Sequence, residues 1–186
     1  MFYIFSKVID SDICNKLVNE CKQNILTQAT VKNLDQSKRT DTELRQTYLY
    51  KIKDKEHKIN NLIWHFIKQA NDTQFDYDIE AFEYSEFLEY KVGDFYGWHQ
   101  DGHGKTPNNR TRKLSAILVL SDPQTFEGGE LQFFSGDKPL TKDVIEDLKK
   151  QGTIVVFDST EWHRVTPITN GIRHSIVCWA IGSNFR

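Results

Sequence analysis

The chain has 186 residues, with 24 basic and 26 acidic side chains and a formal charge of -2. That length suits one core with room for a sandwich or barrel and a few covering helices, so a second full domain is not expected. The near-balance of charge excludes a global field of the kind that gathers nucleic acid or anionic lipid.

The start, "MFYIFSKVIDSD", lacks the basic flank and long apolar run of a signal peptide. No window approaches the roughly 20 apolar residues that span a bilayer, so a soluble, cytoplasmic protein without a membrane partner is expected. Cys14 and Cys21, seven apart on a predicted helix, stand about 10 Å apart along its axis, too far for a disulfide. Cys178 falls in an apolar strand-like run, where a buried thiol is expected.

In chain order, Ile13, Leu17, Cys21 and Ile25 recur every four residues and predict an amphipathic helix capped by Ser11 or Asp12. The stretch 27–43 is polar and aperiodic and reads as a long loop, followed by a strand in "RQTYLYKI". Ile59, Leu62, Ile63, Phe66, Ile67 and Ala70 then mark one face of a second helix. His57 and His65, on that segment, read as surface or packing histidines. Beyond Phe75 the pattern turns to β. "IEAFEYSEFLEYKVG" carries aromatics on a period of two whose phase shifts near Ser85, and "KLSAILVLS", "GELQFF", "GTIVVFDS", "HRVTPI" and "RHSIVCWAIG" follow as short strands bounded by turn residues. Such a series predicts a sandwich or barrel. A short helix interrupts it, with Thr141 as cap, Leu140, Val144 and Leu148 at helical spacing, and Gly152 as its stop.

Chemistry concentrates in "YGWHQDGHGK", residues 96–105. On a strand His99 and Asp101 would share a face and reach one ion together. His163 follows a buried-looking strand, and Arg173 stands ten residues beyond it. Two imidazoles and a carboxylate are the protein ligands of the facial triad that holds non-haem Fe(II) with open positions. Zinc competes, but a closed structural site wants four ligands and the cysteines lack paired spacing. His103 is either a fourth ligand or, flanked by glycines, a substrate or solvent contact.

The order HxD, a distant His, then Arg inside "HxVxPxxxGxRxSxxxW", together with "FEGGEL" at 126–131, resembles the Fe(II)- and 2-oxoglutarate-dependent dioxygenases, most closely their prolyl 4-hydroxylase branch. The likeness spans about Tyr84 to Ile181. It implies an α+β, mainly β chain whose core is a double-stranded β-helix (jelly roll), with N-terminal helices on the larger sheet: one dioxygenase domain over 1–186, with support over 1–78 and the catalytic core over 79–182. It implies further that His99, Asp101 and His163 bind Fe(II), that Arg173 pairs with the distal carboxylate of 2-oxoglutarate, and that dioxygen is consumed as 2-oxoglutarate is decarboxylated to succinate. Ascorbate enters as a reductant.

Arginine suits the carboxylate because its planar fork is permanently charged. Tyr90 matches a tyrosine near the cosubstrate in this branch, and Trp179 matches the family's tryptophan. A tyrosine that some prolyl hydroxylases place after the HxD loop is missing, since "KLSAILVL" supplies only Ser115 and aliphatic residues; Tyr90 and Ser175 remain as partners for Arg173. On a regular strand Ser175, Val177 and Trp179 share the face of Arg173. If Asn170-Gly171 closed a two-residue hairpin, His163 would lie about 16 Å from Arg173 along the strand, too far for one diacid. The turn is therefore expected to cross between sheets.

The resemblance implies procollagen-proline-type hydroxylation of a proline in a protein or peptide substrate. Arg112 occupies a position that contacts peptide in some relatives, Trp98 and Tyr96 are candidates to stack on the prolyl ring, and the 27–43 loop is a candidate lid. A 2-oxoglutarate oxygenase acting on a free amino acid or other small molecule is the alternative, and a non-catalytic β-sandwich binding module the bland reading. Nucleic-acid demethylases of the superfamily carry a second arginine where this chain has Trp179.

Overall fold

A computed structural model of the chain describes residues 2–32, 38–39, 41–52, 54, 57–102, 110–134 and 140–183. In chain order the elements are β1 (Phe2–Phe5), α1 (Ser11–Lys22), β2 (Thr27–Gln28), β3 (Val31–Lys32), β4 (Lys38–Arg39), β5 (Arg45–Gln46), β6 (Tyr48–Ile52) and α2 (Lys58–Ala70). Then follow β7 (Ala81–Tyr90), β8 (Phe95–His99), β9 (Arg110–Val119), β10 (Phe126–Gly128), β11 (Leu131–Phe133), α3 (Lys142–Asp147), β12 (Ile154–Asp158), β13 (His163–Val165), β14 (Ile168–Gly171) and β15 (Arg173–Ser183). Among these residues no helix is long and apolar enough to cross a membrane.

The strands form a jelly roll. A seven-stranded antiparallel sheet runs β1-β12-β9-β15-β7-β6-β2, and a four-stranded sheet, β11-β13-β8-β5, faces it. Alternation along β15 divides two environments. Ile176, Cys178 and Ala180 join Ile59, Ile63 and Ile67 of α2 in one core beneath the helices. Arg173, Ser175, Val177 and Trp179 point the other way, between the sheets. The shift of phase near Ser85 is a bulge: Cys178 pairs with Ser85 but Ala180 pairs with Phe82, which leaves one extra residue on β7.

The helices behave as amphipathic patterning requires, with one correction. In α2, Ile59, Ile63, Ile67 and Ala70 are buried and the His57 side chain caps the start by accepting from the Ile59 N–H. In α1 the buried set is Cys14, Leu17 and Cys21, while Ile13 is 47% exposed and Ile25 lies past the helix end at 87%. A strict step of four residues drifts about 40° per step on a helix of 3.6 residues per turn, so the i+4 ladder leaves the core face. Asp10, not Ser11 or Asp12, is the cap, accepting from the Asp12 N–H at 2.8 Å. In α3, Thr141 caps as expected, and Leu148 is the terminal residue ahead of the turn that holds Gly152. All three cysteines are free and buried, and burial pushes the thiol of Cys14 up to about 11 and those of Cys21 and Cys178 to about 12.

The described parts of the 27–43 stretch include short strands that its polarity does not suggest. β2 adds to the edge of the large sheet beside β6, and β3 pairs with β4 in a ribbon. These contacts are made by backbone groups, which leave no apolar pattern in the sequence. Residues 33–37 and 40, and His103 with the rest of 103–109, lie outside the described residues. The turn around Asn170-Gly171 crosses sheets: β13 belongs to the small sheet, β14 pairs with β10, and β15 enters the large sheet at Arg173.

Candidate metal centre and anion site

His99 ends β8 and is the direct cross-strand neighbour of His163 on β13, so two residues far apart in sequence stand with ring centres 4.1 Å apart. Asp101 reaches them by a route other than strand alternation. The strand stops at His99, and the next turn is tied to the far side of the sheet by Asp101 N–H and Gly102 N–H, which both donate to Ser159 O at 2.9 and 2.7 Å. A Cβ on Gly102 would stand 3.1 Å from the Ser159 carbonyl, so glycine permits this approach. The Asp101 carboxylate then lies 3.6 Å from His99 Nε2 through Oδ1 and 3.8 Å from His163 Nε2 through Oδ2. One ligand atom from each residue falls within 4.8 Å of the others.

Neighbouring groups fix how each donor presents itself. His99 Nδ1–H donates to Gly97 O at 2.8 Å and His163 Nδ1–H to Glu161 O at 2.9 Å, which leaves both Nε2 lone pairs aimed at the common point. Asp101 Oδ2 accepts from Ser115 Oγ at 2.7 Å and from Trp179 Nε1 at 2.9 Å. Burial, then the charge of His163, pushes the His99 pKa down to about 3, so its imidazole is neutral at physiological pH. Burial raises the Asp101 carboxyl, but His163, His99 and Arg112 outweigh it and hold the group below the usual carboxylate range. A neutral imidazole at His99 and an ionised carboxylate at Asp101 are the protonation states a divalent metal requires of these donors. The residues present therefore fit Fe(II), with His99, Asp101 and His163 as its holders.

Arg173 is 3% exposed and sits opposite Tyr90, with its guanidinium carbon 5.6 Å from the phenol ring centre. Its Nη1 donates to Ser175 Oγ at 3.3 Å, and among the described residues no carboxylate pairs with it. Burial depresses its pKa, opposed by Tyr90. The "GG" of "FEGGEL" makes the room: a Cβ on Gly129 (φ +60) would lie 2.8 Å from Arg173 Cδ and 2.3 Å from Ile168 Cδ1. Buried cations are normally paired, so this one presents a place for an anion.

The structure brings His99, Asp101, His163, Trp179 and Tyr96 together, and joins Arg173, Tyr90 and Ser175 beside them. Tyr96 arrives by a bulge. His163 pairs with His99 but Val165 pairs with Tyr96, so β8 carries one extra residue and Tyr96 stacks on His99 with ring centres 3.4 Å apart. Trp98, next to His99 on the strand, faces outward, where Arg164 lies 4.7 Å over its ring and Phe134 meets it edge-on. There Trp98 lines an outer cleft of about 340 Å³ with Phe133, Leu140 and Leu148, away from the ligands. Arg112 lies behind the pocket, bonded to Glu83 Oε2 at 2.6 Å and 3.7 Å over the Trp179 ring. Ser115, which stands out in the sequence only as the place of a missing tyrosine, is the partner of Asp101; no spacing rule points to that. No motif or spacing in the sequence points to Arg45.

The fold is a jelly roll, and its cluster of two histidines and one carboxylate is a set that could hold a metal ion. The chain belongs to the 2OG-Fe(II) oxygenase superfamily, which matches residues 85–181. Membership implies Fe(II), 2-oxoglutarate and dioxygen as the reacting set. Over 90 residues it is 40% identical to a PKHD-type hydroxylase of Hyphomonas neptunium, covering 47% of this chain and 38% of that one. Over 103 residues it is 35% identical to the PKHD-type hydroxylase YbiX of Escherichia coli, covering 50% and 40%. The chain thus matches about two fifths of the length of these curated relatives. Among solved structures, a prolyl-4-hydroxylase of Pseudomonas putida superposes with a TM-score of 0.69 at 21% identity over 96% of this chain and 91% of that one. A Trichoplax adhaerens prolyl hydroxylase, solved with a hypoxia inducible factor peptide fragment, gives 0.74 at 16% identity over 96% and 82%.

Proposed function

We propose that the chain is a prolyl hydroxylase that inserts one oxygen atom into a proline of a protein or peptide, with conversion of 2-oxoglutarate to succinate and carbon dioxide. The observation that carries the reading is the buried Arg173, paired with no carboxylate among the described residues, beside the His99, Asp101 and His163 cluster. Arg173 with Ser175 and Tyr90 binds the distal carboxylate of 2-oxoglutarate, and the three ligands hold Fe(II). When bound, iron with 2-oxoglutarate and dioxygen supplies the oxidant for a C–H bond, and ascorbate serves as reductant. Trp179 and Ser115 keep Asp101 ionised and oriented, and Trp179 walls the pocket. Tyr96, partly buried and held between His99 and Arg45, offers its ring edge to the prolyl side chain, and Arg112 keeps the Trp179 ring in place from behind. The relatives named for hydroxylases and the neighbours named for prolyl hydroxylases support this choice of substrate.

The test is mass spectrometry of host-cell protein digests after incubation with enzyme, Fe(II), 2-oxoglutarate and oxygen, with Asp101→Ala as control. Added oxygen confined to prolines in one sequence context is the expected result. Succinate above the control with no modified peptide transfers the reading to a free amino acid or other small molecule. A separate check on the ligands is His163→Ala, expected to lose iron binding; full retention of iron affinity rejects the assignment.

A further inference from the structure

Arg45 occupies the seam where the chain passes from the small sheet to the large one. Its backbone is fixed: Arg45 N–H donates to Asp41 O at 2.8 Å, and Gly97 N–H donates to Leu44 O at 2.7 Å. A Cβ on Gly97 would stand 3.1 Å from Leu44 Cδ1, so β5 approaches β8 this closely because that residue is glycine. Two residues on, the fully buried Thr47 hydroxyl donates to Glu89 O at 2.8 Å and carries the chain into the large sheet.

The side chain of Arg45 is 9% exposed, and its guanidinium carbon lies 4.5 Å from the centre of the Tyr96 ring that stacks on His99. One aromatic ring therefore separates this cation from a metal ligand. The carboxylate paired with it, Glu86, is 3.7 Å from Nη2, beyond hydrogen-bond length, and is shared with Lys51 Nζ at 3.4 Å. Arg45 Nε is the one buried side-chain polar atom among the described residues without a hydrogen-bond partner. A buried charged donor left unmade is costly, and the edge of a guanidinium that carries Nε is a planar fork suited to oxygen acceptors. Arg173 is placed separately: it pairs across strands with Tyr90 in the large sheet, whereas Arg45 pairs with Tyr96 in the small one.

We propose that Arg45 is a substrate-binding residue whose Nε–H edge donates to the main-chain carbonyl or carboxylate oxygen of the residue being hydroxylated, holding that residue at the edge of Tyr96 beside the metal. The inference rests on the hydroxylase reading of the site. In a peptide the acceptor is the prolyl carbonyl; in a free amino acid it is the carboxylate.

The test uses the full chain with zinc in place of iron, saturated with 2-oxoglutarate and carrying ¹⁵N-arginine, the Arg45 Nε–H signal being assigned by its loss in Arg45→Lys. N-acetyl-L-prolinamide and L-proline are titrated separately. A saturable downfield shift with the amide supports both the Arg45 site and a peptidyl substrate. A shift with L-proline alone supports Arg45 and overturns the peptidyl reading. No shift with either overturns the role of Arg45. Arg45→Lys, which keeps the charge without the fork, and Arg45→Gln are expected to weaken the bound probe about tenfold or more and to leave 2-oxoglutarate affinity within twofold. Equal loss of 2-oxoglutarate affinity makes Arg45 a cosubstrate residue and overturns the proposal.

Discussion

Metal affinity should fall when the two donors to Asp101 are removed, although neither is a ligand. Ser115 Oγ and Trp179 Nε1 both end on Oδ2, at 2.7 and 2.9 Å, and the carboxylate side chain is only 13% exposed, so water cannot freely replace them. A hydrogen bond to a charged group contributes about 1.5–3 kcal/mol, and partners behind a metal ligand typically govern about 10–100-fold in affinity. Ser115→Ala and Trp179→Phe are each expected to cost about tenfold. The double variant should lose more than the product of the two, because either donor alone still orients the same oxygen. The sign with pH follows: both donors favour the ionised carboxylate, so their loss raises its pKa and moves the midpoint of metal binding to higher pH. Anaerobic Co(II) titration read by visible absorption, with far-UV spectra to verify folding, measures this without any substrate. Binding by the folded double variant within threefold of wild type, at an unchanged pH midpoint, refutes the reasoning.

Arg173→Met should reduce 2-oxoglutarate affinity about 100-fold in calorimetry of the metal-loaded protein while leaving the Tm of the ligand-free protein no lower, because it removes a buried charge that no described carboxylate balances. Gly129→Ala forces a side chain into φ +60 and into contact with Ile168 and Arg173; the strain and overpacking cost roughly 2–5 kcal/mol, a fall on the order of 10 °C in Tm by calorimetry, with weakened 2-oxoglutarate binding. Trp98→Ala should leave 2-oxoglutarate turnover within twofold, read as succinate, since Trp98 faces the outer cleft. Acid should destabilise the chain in two stages. Burial depresses His174 against the pull of Glu89, so the unfolded state takes up this proton first and stability falls as pH drops below about 6.5. Burial raises Glu89, but its bonds to His174 and Lys91 outweigh this and lower it, so its contribution disappears further down, as pH falls through the lowered value. A Tm series against pH should slope less just below about 6.5 in His174→Phe, whose ring keeps the stacking on Phe87.

Much of this architecture is legible in the residues because it rests on periodicity. The α2 stripe, the alternation of β15 and the phase shift at Ser85 each have a direct physical counterpart. So does the crossing of the Asn170-Gly171 turn, since the opposing hairpin would have put His163 and Arg173 too far apart for one small diacid. What stays hidden depends on partners remote in sequence. Asp101 is placed by Ser159, Ser115 and Trp179, so its HxD spacing is right while the strand argument for that spacing is wrong. A bulge in β8 brings Tyr96 to the side of His99 while Trp98 stays on the other, and a local alternation rule, which puts both on one face, cannot register one inserted residue.

The two faces of the large sheet show why the site is less legible than the fold. On the helix side nearly every inward residue is apolar, and the transfer of such surface from water is non-directional, so a pattern of residue types suffices to specify it. On the inner side Arg173, Ser175, Glu86, Trp179 and Tyr90 are all buried, and each polar group there depends on a bond of defined length and direction. Direction is set by three-dimensional partners, which no local pattern of residue types encodes. Arg173 without a carboxylate and Arg45 with an unmade Nε bond are therefore the inner-face positions where the protein's own hydrogen bonding stops, and where the chemistry of what it binds begins.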